Sequence, residues 1–313
     1  MTALDAGAPE RVAGRGEPPG APASGQAGLT HRREQRQLET RRAAAGWSWW
    51  QQILFFLAAL VGGSYLLAIA WLYLCQERLI FEPVPLPAEH RFVQAEVEEV
   101  TLRVDGAALS ALHLRLPDPQ GVVFFLHGNN GNLASWFVNA DFYRLANYDL
   151  FMLDYRGYGK SSGRIESEEQ LRADVRAAWD EVARQYAGKR KVIYGRSLGT
   201  ALAAGLAAEV QPDLTILVSP FCSMAQLMRL HYPLLPTLPL RYPLVTCDDV
   251  ARLRGPLLLV HGERDRLIPV GHSEQLLARA PQARLLRLPA AAHGDIHQFQ
   301  GYHEELLRTL QAL

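Results

Sequence analysis

A serine between two glycines is the clearest sign of chemistry in this sequence. The run Gly195-Arg196-Ser197-Leu198-Gly199 follows the apolar stretch Lys191–Tyr194 and opens a stretch of small residues, 200–208. A strand, a sharp turn and a helix in that order expose a serine hydroxyl, and the glycines let the chain bend and pack closely. The pattern predicts Ser197 as a nucleophile and the backbone N–H of Leu198 as an oxyanion donor. A plain strand–helix turn that contains a serine is the alternative.

A glycine-rich loop follows another apolar stretch upstream. Val122–Leu126 leads into His127-Gly-Asn-Asn-Gly-Asn132. A loop of this kind at a strand end can supply a second oxyanion N–H, and Asn129 is the predicted donor. A phosphate-binding loop is excluded, because neither G-K-[ST] nor G-x-G-x-x-G is present. We interpret His127 as a structural residue of the loop, because it lies before the first helix of the domain.

A nucleophilic serine needs a base, and the base needs an orienting carboxylate. Downstream of Ser197, the run Leu257–His261 leads into Gly262-Glu-Arg-Asp265. Asp265 is the predicted acid, because it lies past the turn at a strand end where its side chain can face the site. Glu263 is the alternative acid, and an ion pair between Asp265 and an arginine is the alternative role.

His293 is the predicted base. It follows the strand-like run Arg284–Leu288, in a loop whose small neighbours let an imidazole reach over the sheet. Of the other candidates, His261 lies in or just after its strand, His272 begins a helix, and His297 lies about one helical turn too late. A further strand-end residue, Asp154, is interpreted as bracing a loop, with Arg156 as its partner.

These residues need a sheet that brings strand ends together. Apolar strand-like runs alternate with helical patterns through residues 80–313, and two such helical patterns are Glu168–Ala187 and Ser273–Ala280. The predicted strands are Phe92–Val104, Leu109–Leu116, Val122–His127, Leu150–Asp154, Lys191–Tyr194, Thr215–Val218, Leu257–His261 and Arg284–Leu288. The alternation predicts an α/β domain with a mainly parallel sheet covered by helices on both faces. The first two strands lack a helix between them, which predicts an antiparallel start.

A segment rich in Pro, Leu and Tyr interrupts the alternation at about residues 219–255. We predict a small apolar cap over Ser197 that forms an acyl pocket. A crossover that only covers the sheet is the alternative.

The N-terminal part predicts a membrane anchor. Residues 1–30 are rich in Ala, Gly and Pro and are predicted to be disordered, and residues 31–46 are polar and basic, so 1–46 is predicted to be a disordered/basic N-terminal tail. The uncharged apolar run 53–75 has the length of a transmembrane helix, and a buried core helix and a cleaved signal peptide are the alternatives. Five arginines precede the run (Arg32, Arg33, Arg36, Arg41 and Arg42). The positive-inside rule therefore predicts a single-pass protein with a cytoplasmic N-terminus and the catalytic domain on the outer side, periplasmic in a bacterium.

Composition excludes several classes of protein. The 32 basic and 32 acidic residues balance, so no basic field for nucleic acid is present. Three cysteines without a CxxC pair exclude a four-cysteine zinc site. We expect three unpaired, mostly buried thiols, and a Cys222–Cys247 disulfide is the alternative. Neither a cofactor nor a metal is expected, because no dinucleotide fingerprint occurs and a triad needs no metal.

Taken as a set, the motifs resemble single-span, membrane-anchored α/β-hydrolases with an HGNxGN loop. The matching stretches are His127–Asn132, Asp154–Gly159, Gly195–Gly199, His261–Asp265 and the final His293. The group includes bacterial membrane hydrolases and relatives of lysophospholipid lipases and protein depalmitoylases. The resemblance covers residues 53–313 and implies the α/β-hydrolase fold, in which nucleophile, acid and histidine follow in that order. It implies Ser197, Asp265 and His293 as the triad.

The sequence therefore predicts a serine hydrolase that cleaves carboxylic esters or thioesters through an acyl-enzyme. With an anchor nearby, the expected partners are a small acyl ester or thioester, lipids among them, and the membrane itself. A serine peptidase or amidase on the same fold is one alternative. A non-catalytic membrane scaffold that kept the fold is another.

Overall fold

A long apolar helix forms the most hydrophobic part of the chain. A computed structural model describes residues 24–43, 46–237 and 240–313, and the chain divides into two compact units, Met1–Leu66 and Leu67–Leu313. Helix α2 (Trp49–Leu74) begins in the first unit and ends in the second. It has 26 residues, carries no charge and buries none of its side chains. At about 1.5 Å per residue it exceeds the ~30 Å of a hydrocarbon core. By length and composition it could span a membrane.

The residues before this helix differ in part from the prediction. The disordered tail predicted over 1–46 falls partly on residues 1–23 and 44–45, which lie outside those described. Ser24–Ala43 form a helix, α1, so the predicted disorder is wrong for residues 24–30. Its many Arg, Gln, Glu and Ala residues have good helix propensity. Residues 31–41 contain one large apolar residue, Leu38, so the apolar periodicity from which a helix is normally predicted is absent.

The second unit is built on an eight-stranded sheet. The strands of the unit are β1 (Glu82–Pro83), β2 (Val97–Val104), β3 (Ala107–Leu114), β4 (Gly121–Leu126), β5 (Asn130–Gly131), β6 (Tyr148–Leu153), β7 (Arg190–Arg196), β8 (Leu214–Val218), β9 (Leu257–Gly262) and β10 (Ala283–Leu288). The order in the large sheet is β10-β9-β8-β7-β4-β6-β3-β2. β3 pairs antiparallel with both β2 and β6, and the other neighbours are parallel. The predicted mainly parallel sheet with an antiparallel start is confirmed.

Helices cover both faces of this sheet. The remaining helices are α3 (Gln76–Ile80), α4 (Leu133–Trp136), α5 (Ala140–Ala146), α6 (Glu168–Gln185), α7 (Gly199–Val210), α8 (Met224–His231), α9 (Thr246–Val250), α10 (Gly271–Arg279) and α11 (Gln300–Gln311), with a 3₁₀ turn at Ile296–Gln298. Buried side chains of α6 and α7 belong to one core cluster, and those of α5 and α11 belong to the other.

Strand β4 shows how the two cores arise. All six of its residues are buried. Val122, Phe124 and Leu126 pack into the first cluster, and Val123 and Phe125 pack into the second. Successive side chains of a strand point to opposite faces, so a central strand between two helical layers is apolar throughout. This burial on both faces explains why the predicted strand was a continuous apolar run.

The crossover after β8 is closed by a disulfide. Cys222 and Cys247 are bonded, with their Cα atoms 4.8 Å apart and a sequence separation of 25. The expectation of three unpaired thiols is therefore wrong for this pair, and Cys75 is free. The backbone N–H of Cys247 also donates to the carbonyl of Cys222, at 3.0 Å. The pairing depends on how the segment between the two cysteines returns, which cysteine spacing does not reveal.

Removing this bond is expected to destabilise the domain. A cross-link over a loop of this length restricts the unfolded chain and contributes about 3 kcal/mol. We expect the double variant Cys222→Ala, Cys247→Ala to lose that amount in denaturant unfolding followed by tryptophan fluorescence. Cys75→Ala is the matched control and should unfold like the wild type. Equal unfolding midpoints for the double variant and the wild type would contradict the prediction.

Candidate active site

Ser197 lies in a tight turn between β7 and α7. Its φ is +51°, which is uncommon for a residue with a side chain, and its N–H donates to the carbonyl of Val218 at 2.9 Å. Gly199 makes the turn feasible, since a Cβ atom there would lie 2.2 Å from the carbonyl oxygen of Leu126. The end of β4 therefore approaches the start of α7 more closely than any other residue would allow. The strand–turn–helix geometry predicted around Ser197 is present.

The three residues predicted to form the triad lie within hydrogen-bond distance of one another. The Oγ atom of Ser197 is 3.0 Å from Nε2 of His293. The Nδ1 atom of that histidine is 2.7 Å from Oδ2 of Asp265. They come from the ends of three different elements: the turn after β7, the loop after β9 and the loop after β10. A carboxylate that accepts from Nδ1 leaves Nε2 free to accept the serine proton.

Asp265 is held rigidly and stays charged. Its Oδ1 accepts the N–H groups of Leu267 and Ile268, at 3.0 and 2.8 Å. Burial by itself would raise the pKa of this carboxyl. The hydrogen bonds from His261, His293 and the amide of Ile268 outweigh burial and hold the pKa well below its usual range. Glu263, the alternative acid, instead pairs with Arg287 on the surface.

The loop after β4 is held by contacts that fix its peptide planes. The buried His127 lies with Nδ1 2.7 Å from the carbonyl of Gly128. Since a carbonyl only accepts, Nδ1 carries the proton, and this fixes the peptide that bears the N–H of Asn129. The carbonyl of Asn129 in turn accepts from the N–H of Glu82 at 2.9 Å and from the hydroxyl of Tyr158 at 2.5 Å. The short β1–β5 pair thus holds the loop in place.

Two backbone donors next to Ser197 have no protein acceptor. Within the described residues, neither the N–H of Asn129 nor that of Leu198 donates to another group. Asn129 lines the same cavity as Ser197, and Leu198 is the next residue in the chain. Unpaired N–H groups near a serine hydroxyl are the arrangement that stabilises an oxyanion.

Asp154 and His127 form a buried pair behind this loop. The Oδ1 atom of Asp154 accepts the N–H of Leu133, at 3.0 Å, and lies 3.6 Å from Nε2 of His127. The partner predicted for Asp154 was wrong: Arg156 instead binds Asp174, at 2.6 and 2.8 Å. Burial raises the pKa of Asp154 to about 7 and lowers the pKa of His127 to about 4. Both groups are therefore predominantly neutral in a mildly acidic medium.

The raised pKa of Asp154 predicts a pH-dependent stability. Between pH 4 and pH 7 the folded chain keeps a proton that the unfolded chain releases, so this carboxyl destabilises the fold increasingly as the pH rises. Asp154→Asn removes the effect and leaves His127 in place. We expect the stability of the variant relative to the wild type to increase by about 3 kcal/mol from pH 5 to pH 8. Urea unfolding at both pH values measures it, and a constant difference would contradict the assignment.

Ser197 opens into a cavity of about 410 Å³. One wall is the face of the sheet that carries Phe125 and Tyr194, and other walls come from residues 128–143 and 293–302. The lining residues include the apolar side chains Phe125, Trp136, Val138, Leu150 and Met152. Its size falls in the range of small-molecule sites.

The segment predicted as a cap, 219–255, does not line the Ser197 cavity among the described residues. It lines a separate apolar cavity of about 410 Å³ together with residues 69–80, through Met224, Met228 and Leu235 among others. The prediction of a cap that forms the acyl pocket over Ser197 is therefore wrong for that role. A composition rich in Pro and Leu predicts an apolar surface and not which cavity that surface lines.

The other candidate histidines have different surroundings. His261 is fully buried, with Nε2 2.7 Å from the carbonyl of Ile268 and Nδ1 2.7 Å from the hydroxyl of Ser273. His272 accepts the N–H of Cys222, at 3.3 Å. His297 is exposed but lines the Ser197 cavity. Within the described ranges, no cluster of three or more His, Cys, Asp or Glu side chains could hold a metal.

A mainly parallel sheet with a serine in a strand–turn–helix elbow defines the class of α/β-hydrolases. The family described as "Serine aminopeptidase, S33" (Hydrolase_4) matches residues 117–246. An uncharacterized protein of Mycobacterium tuberculosis is 32% identical over 245 residues, which cover 74% of this chain and 85% of the relative. The alpha/beta hydrolase domain-containing protein 17C of Xenopus tropicalis is 30% identical over 230 residues, covering 70% of this chain and 72% of the relative. The chain therefore belongs to the α/β-hydrolase family.

Solved structures agree with this fold. An esterase of Pyrococcus furiosus has a TM-score of 0.60 at 19% identity, covering 74% of this chain and 97% of the esterase. A soluble variant of the monoglyceride lipase of Saccharomyces cerevisiae, bound to a substrate analog, has a TM-score of 0.56 at 15% identity, covering 72% of this chain and 98% of the lipase. At these identities the likeness supports the fold alone.

Proposed function

We propose that this hydrolase cleaves carboxylic esters or thioesters of acyl, lipid-like substrates through a Ser197–His293–Asp265 triad. The observation that carries the proposal is the continuous hydrogen-bonded chain, 3.0 Å from serine to histidine and 2.7 Å from histidine to aspartate. A serine hydroxyl is a poor nucleophile unless an oriented base takes its proton. Asp265, charged and rigidly held, is suited to orient that base.

The proposed reaction has two halves. The Oγ atom of Ser197 attacks the carbonyl carbon while His293 takes the hydroxyl proton, and the N–H groups of Asn129 and Leu198 stabilise the oxyanion. His293 then gives the proton to the leaving alcohol or thiol, and an acyl-enzyme remains. Water activated by the same histidine attacks the acyl-enzyme, and the carboxylic acid leaves with Ser197 restored.

The apolar lining of the Ser197 cavity supports an acyl substrate. A series of p-nitrophenyl esters with acyl chains of different length tests this class, with the full-length protein in detergent micelles. We expect kcat/KM to rise from acetate to the medium-chain esters. A clear preference for the shortest, most soluble esters would overturn the lipid-like assignment while leaving the triad intact.

An aminopeptidase activity is the rival that the description of the matching family raises. An enzyme that removes N-terminal residues must bind a free ammonium group, which a carboxylate in the site does best. Among the described residues, none of those lining the Ser197 cavity is Asp or Glu, and Arg196 adds a positive charge. The cavity therefore favours esters. Cleavage of aminoacyl-p-nitroanilides faster than the matching esters would reverse this choice.

We also propose that α2 anchors the protein, with the N-terminus in the cytoplasm and the hydrolase domain outside. The five arginines before the helix and the Cys222–Cys247 disulfide support this orientation, because disulfides persist in oxidising compartments. In a Cys75→Ala background, an impermeant maleimide should label intact cells at Val93→Cys and not at Glu34→Cys; both native side chains are exposed. The reverse labelling would overturn the orientation.

A further inference from the structure

Arg196 lies directly before the proposed nucleophile and faces the same cavity. It is the last residue of β7, two positions after Tyr194, so both side chains point to the same face of the sheet. Both also line the cavity that contains Ser197. Arg196 is only 7% exposed. A positive charge is thus buried in the wall of the candidate active site.

This arginine has few protein partners for a buried guanidinium group. Its Nη2 atom donates to the carbonyl of His293, at 2.9 Å. No carboxylate of the described residues lies within 4.0 Å of its nitrogens, and no other hydrogen bond from it is present there. Arg156, which is 6% exposed, instead makes two bonds to Asp174 and one to the carbonyl of Asp105. A guanidinium carries five N–H donors, so most of those of Arg196 are unused.

None of the nitrogens of Arg196 is among the fully buried side-chain atoms without a hydrogen-bond partner, so those that make no hydrogen bond are accessible from the cavity. An anionic group that enters the cavity can therefore reach this guanidinium. The described residues that line it include no acidic side chain, and the polar ones beside Ser197 are donors or neutral groups such as Asn129, Asn139 and Ser135. Burial, helped by the charge of Arg196, lowers the pKa of the nearby His297. The fixed positive charge of the cavity is therefore that of Arg196.

We propose that Arg196 binds an anionic group of the substrate, a phosphate or a carboxylate, so that the enzyme prefers negatively charged esters. Guanidinium binds both oxyanions through paired N–H donors. This inference rests on the proposed ester hydrolysis at Ser197 and narrows its substrate class. The anion lies either on the leaving alcohol or at the far end of the acyl chain.

A bracing role is the competing explanation, because Arg196 contacts the backbone of the base. Loss of a brace would displace His293 and slow the hydrolysis of every substrate alike. Loss of an anion site would instead change the ratio between charged and uncharged substrates. The ratio therefore separates the two roles.

The experiment uses matched substrate pairs with the full-length protein in micelles. One pair is a 1-monoacylglycerol and the same molecule with a 3-phosphate, which places the charge on the alcohol. The other is p-nitrophenyl hexanoate and the p-nitrophenyl monoester of adipic acid, which places it on the acyl chain. We expect the wild type to favour the charged member of one pair, and Arg196→Gln to reduce the kcat/KM ratio of charged to uncharged substrate by about 10–100-fold.

Two further variants sharpen the outcome. Arg196→Lys keeps the positive charge but lacks the paired N–H donors of a guanidinium. Its kcat/KM ratio of charged to uncharged substrate should therefore lie between those of Arg196→Gln and the wild type. Arg103→Gln removes an exposed arginine of β2 and should leave the ratio unchanged. An equal loss on both members of each pair, or a wild type without charge preference in either pair, would overturn the anion site.

Binding to the Ser197→Ala variant separates this proposal from the proposed function. Equilibrium binding needs no hydrolysis, so the charged member of at least one of the two pairs should bind more tightly than its uncharged member, and Arg196→Gln in the same background should abolish that difference. If the charged ligand binds more tightly but the wild type hydrolyses no ester, the anion site is supported and the proposed hydrolase function is contradicted. If the wild type hydrolyses esters but charged and uncharged ligands bind equally, the proposed function is supported and the anion site is overturned.

Discussion

Ser197→Ala is expected to lower kcat/KM for ester hydrolysis by about 10⁴-fold or more, because the proposed acyl-enzyme forms on the Oγ atom that this variant removes. The alanine keeps the Cβ atom and the same backbone, so the fold should survive. Steady-state hydrolysis of a medium-chain p-nitrophenyl ester measures the effect, and the melting temperature verifies folding.

The chain provides a matched control for this variant. Ser219 follows β8, has the same φ of +51°, is fully buried and has an Oγ without a hydrogen-bond partner. Ser219→Ala should therefore hydrolyse the ester at nearly the wild-type rate. If Ser197→Ala kept more than about a tenth of the activity, Ser197 would not be the nucleophile.

Asp265→Asn is expected to lower kcat by about 10⁴-fold with a small change in KM. The backbone N–H groups of Leu267 and Ile268 require an oxygen at Oδ1, so the amide nitrogen would face His293. Nδ1 would then have to accept, the proton would move to Nε2, and the ring could not take the proton of Ser197. The pH–rate profile and single-turnover kinetics measure this loss.

Glu263→Gln is the control in the same loop. Glu263 pairs with Arg287 at 2.8 Å, and its side chain is 35% exposed, so the variant should keep most of the activity. A large loss with Glu263→Gln and a small one with Asp265→Asn would reverse the assignment of the acid.

Local pattern predicted the parts of this molecule that depend on short-range geometry. The turn that holds Ser197 can be predicted from sequence, because the strand, the Gly-x-Ser-x-Gly turn and the small-residue helix are adjacent along the chain. Strands such as β4 can be predicted from sequence, because burial on both faces requires apolar residues throughout the strand. The order of nucleophile, acid and histidine in the family predicts Asp265 and His293, and the fold brings these two side chains within hydrogen-bond distance of each other.

Features that depend on the path of the chain were missed. The partner of Arg156 is Asp174 on α6, which no spacing indicates. The Cys222–Cys247 bond depends on the return of the crossover, and so does the cavity that the crossover lines. Arg196 is buried and has no carboxylate partner among the described residues. Both its burial and its lack of a carboxylate partner depend on the fold, so the motif Gly-Arg-Ser-Leu-Gly does not predict them.

The central claim is that Ser197 is an activated nucleophile. Its most direct test is fluorophosphonate labelling of membranes that contain the full-length protein, followed by peptide mass spectrometry. A fluorophosphonate reacts with a serine only where a base activates its hydroxyl. The account predicts a single adduct on the peptide that contains Ser197, abolished by Ser197→Ala and strongly reduced by His293→Ala. An adduct on another residue, or none on folded wild-type protein that hydrolyses esters, would contradict it.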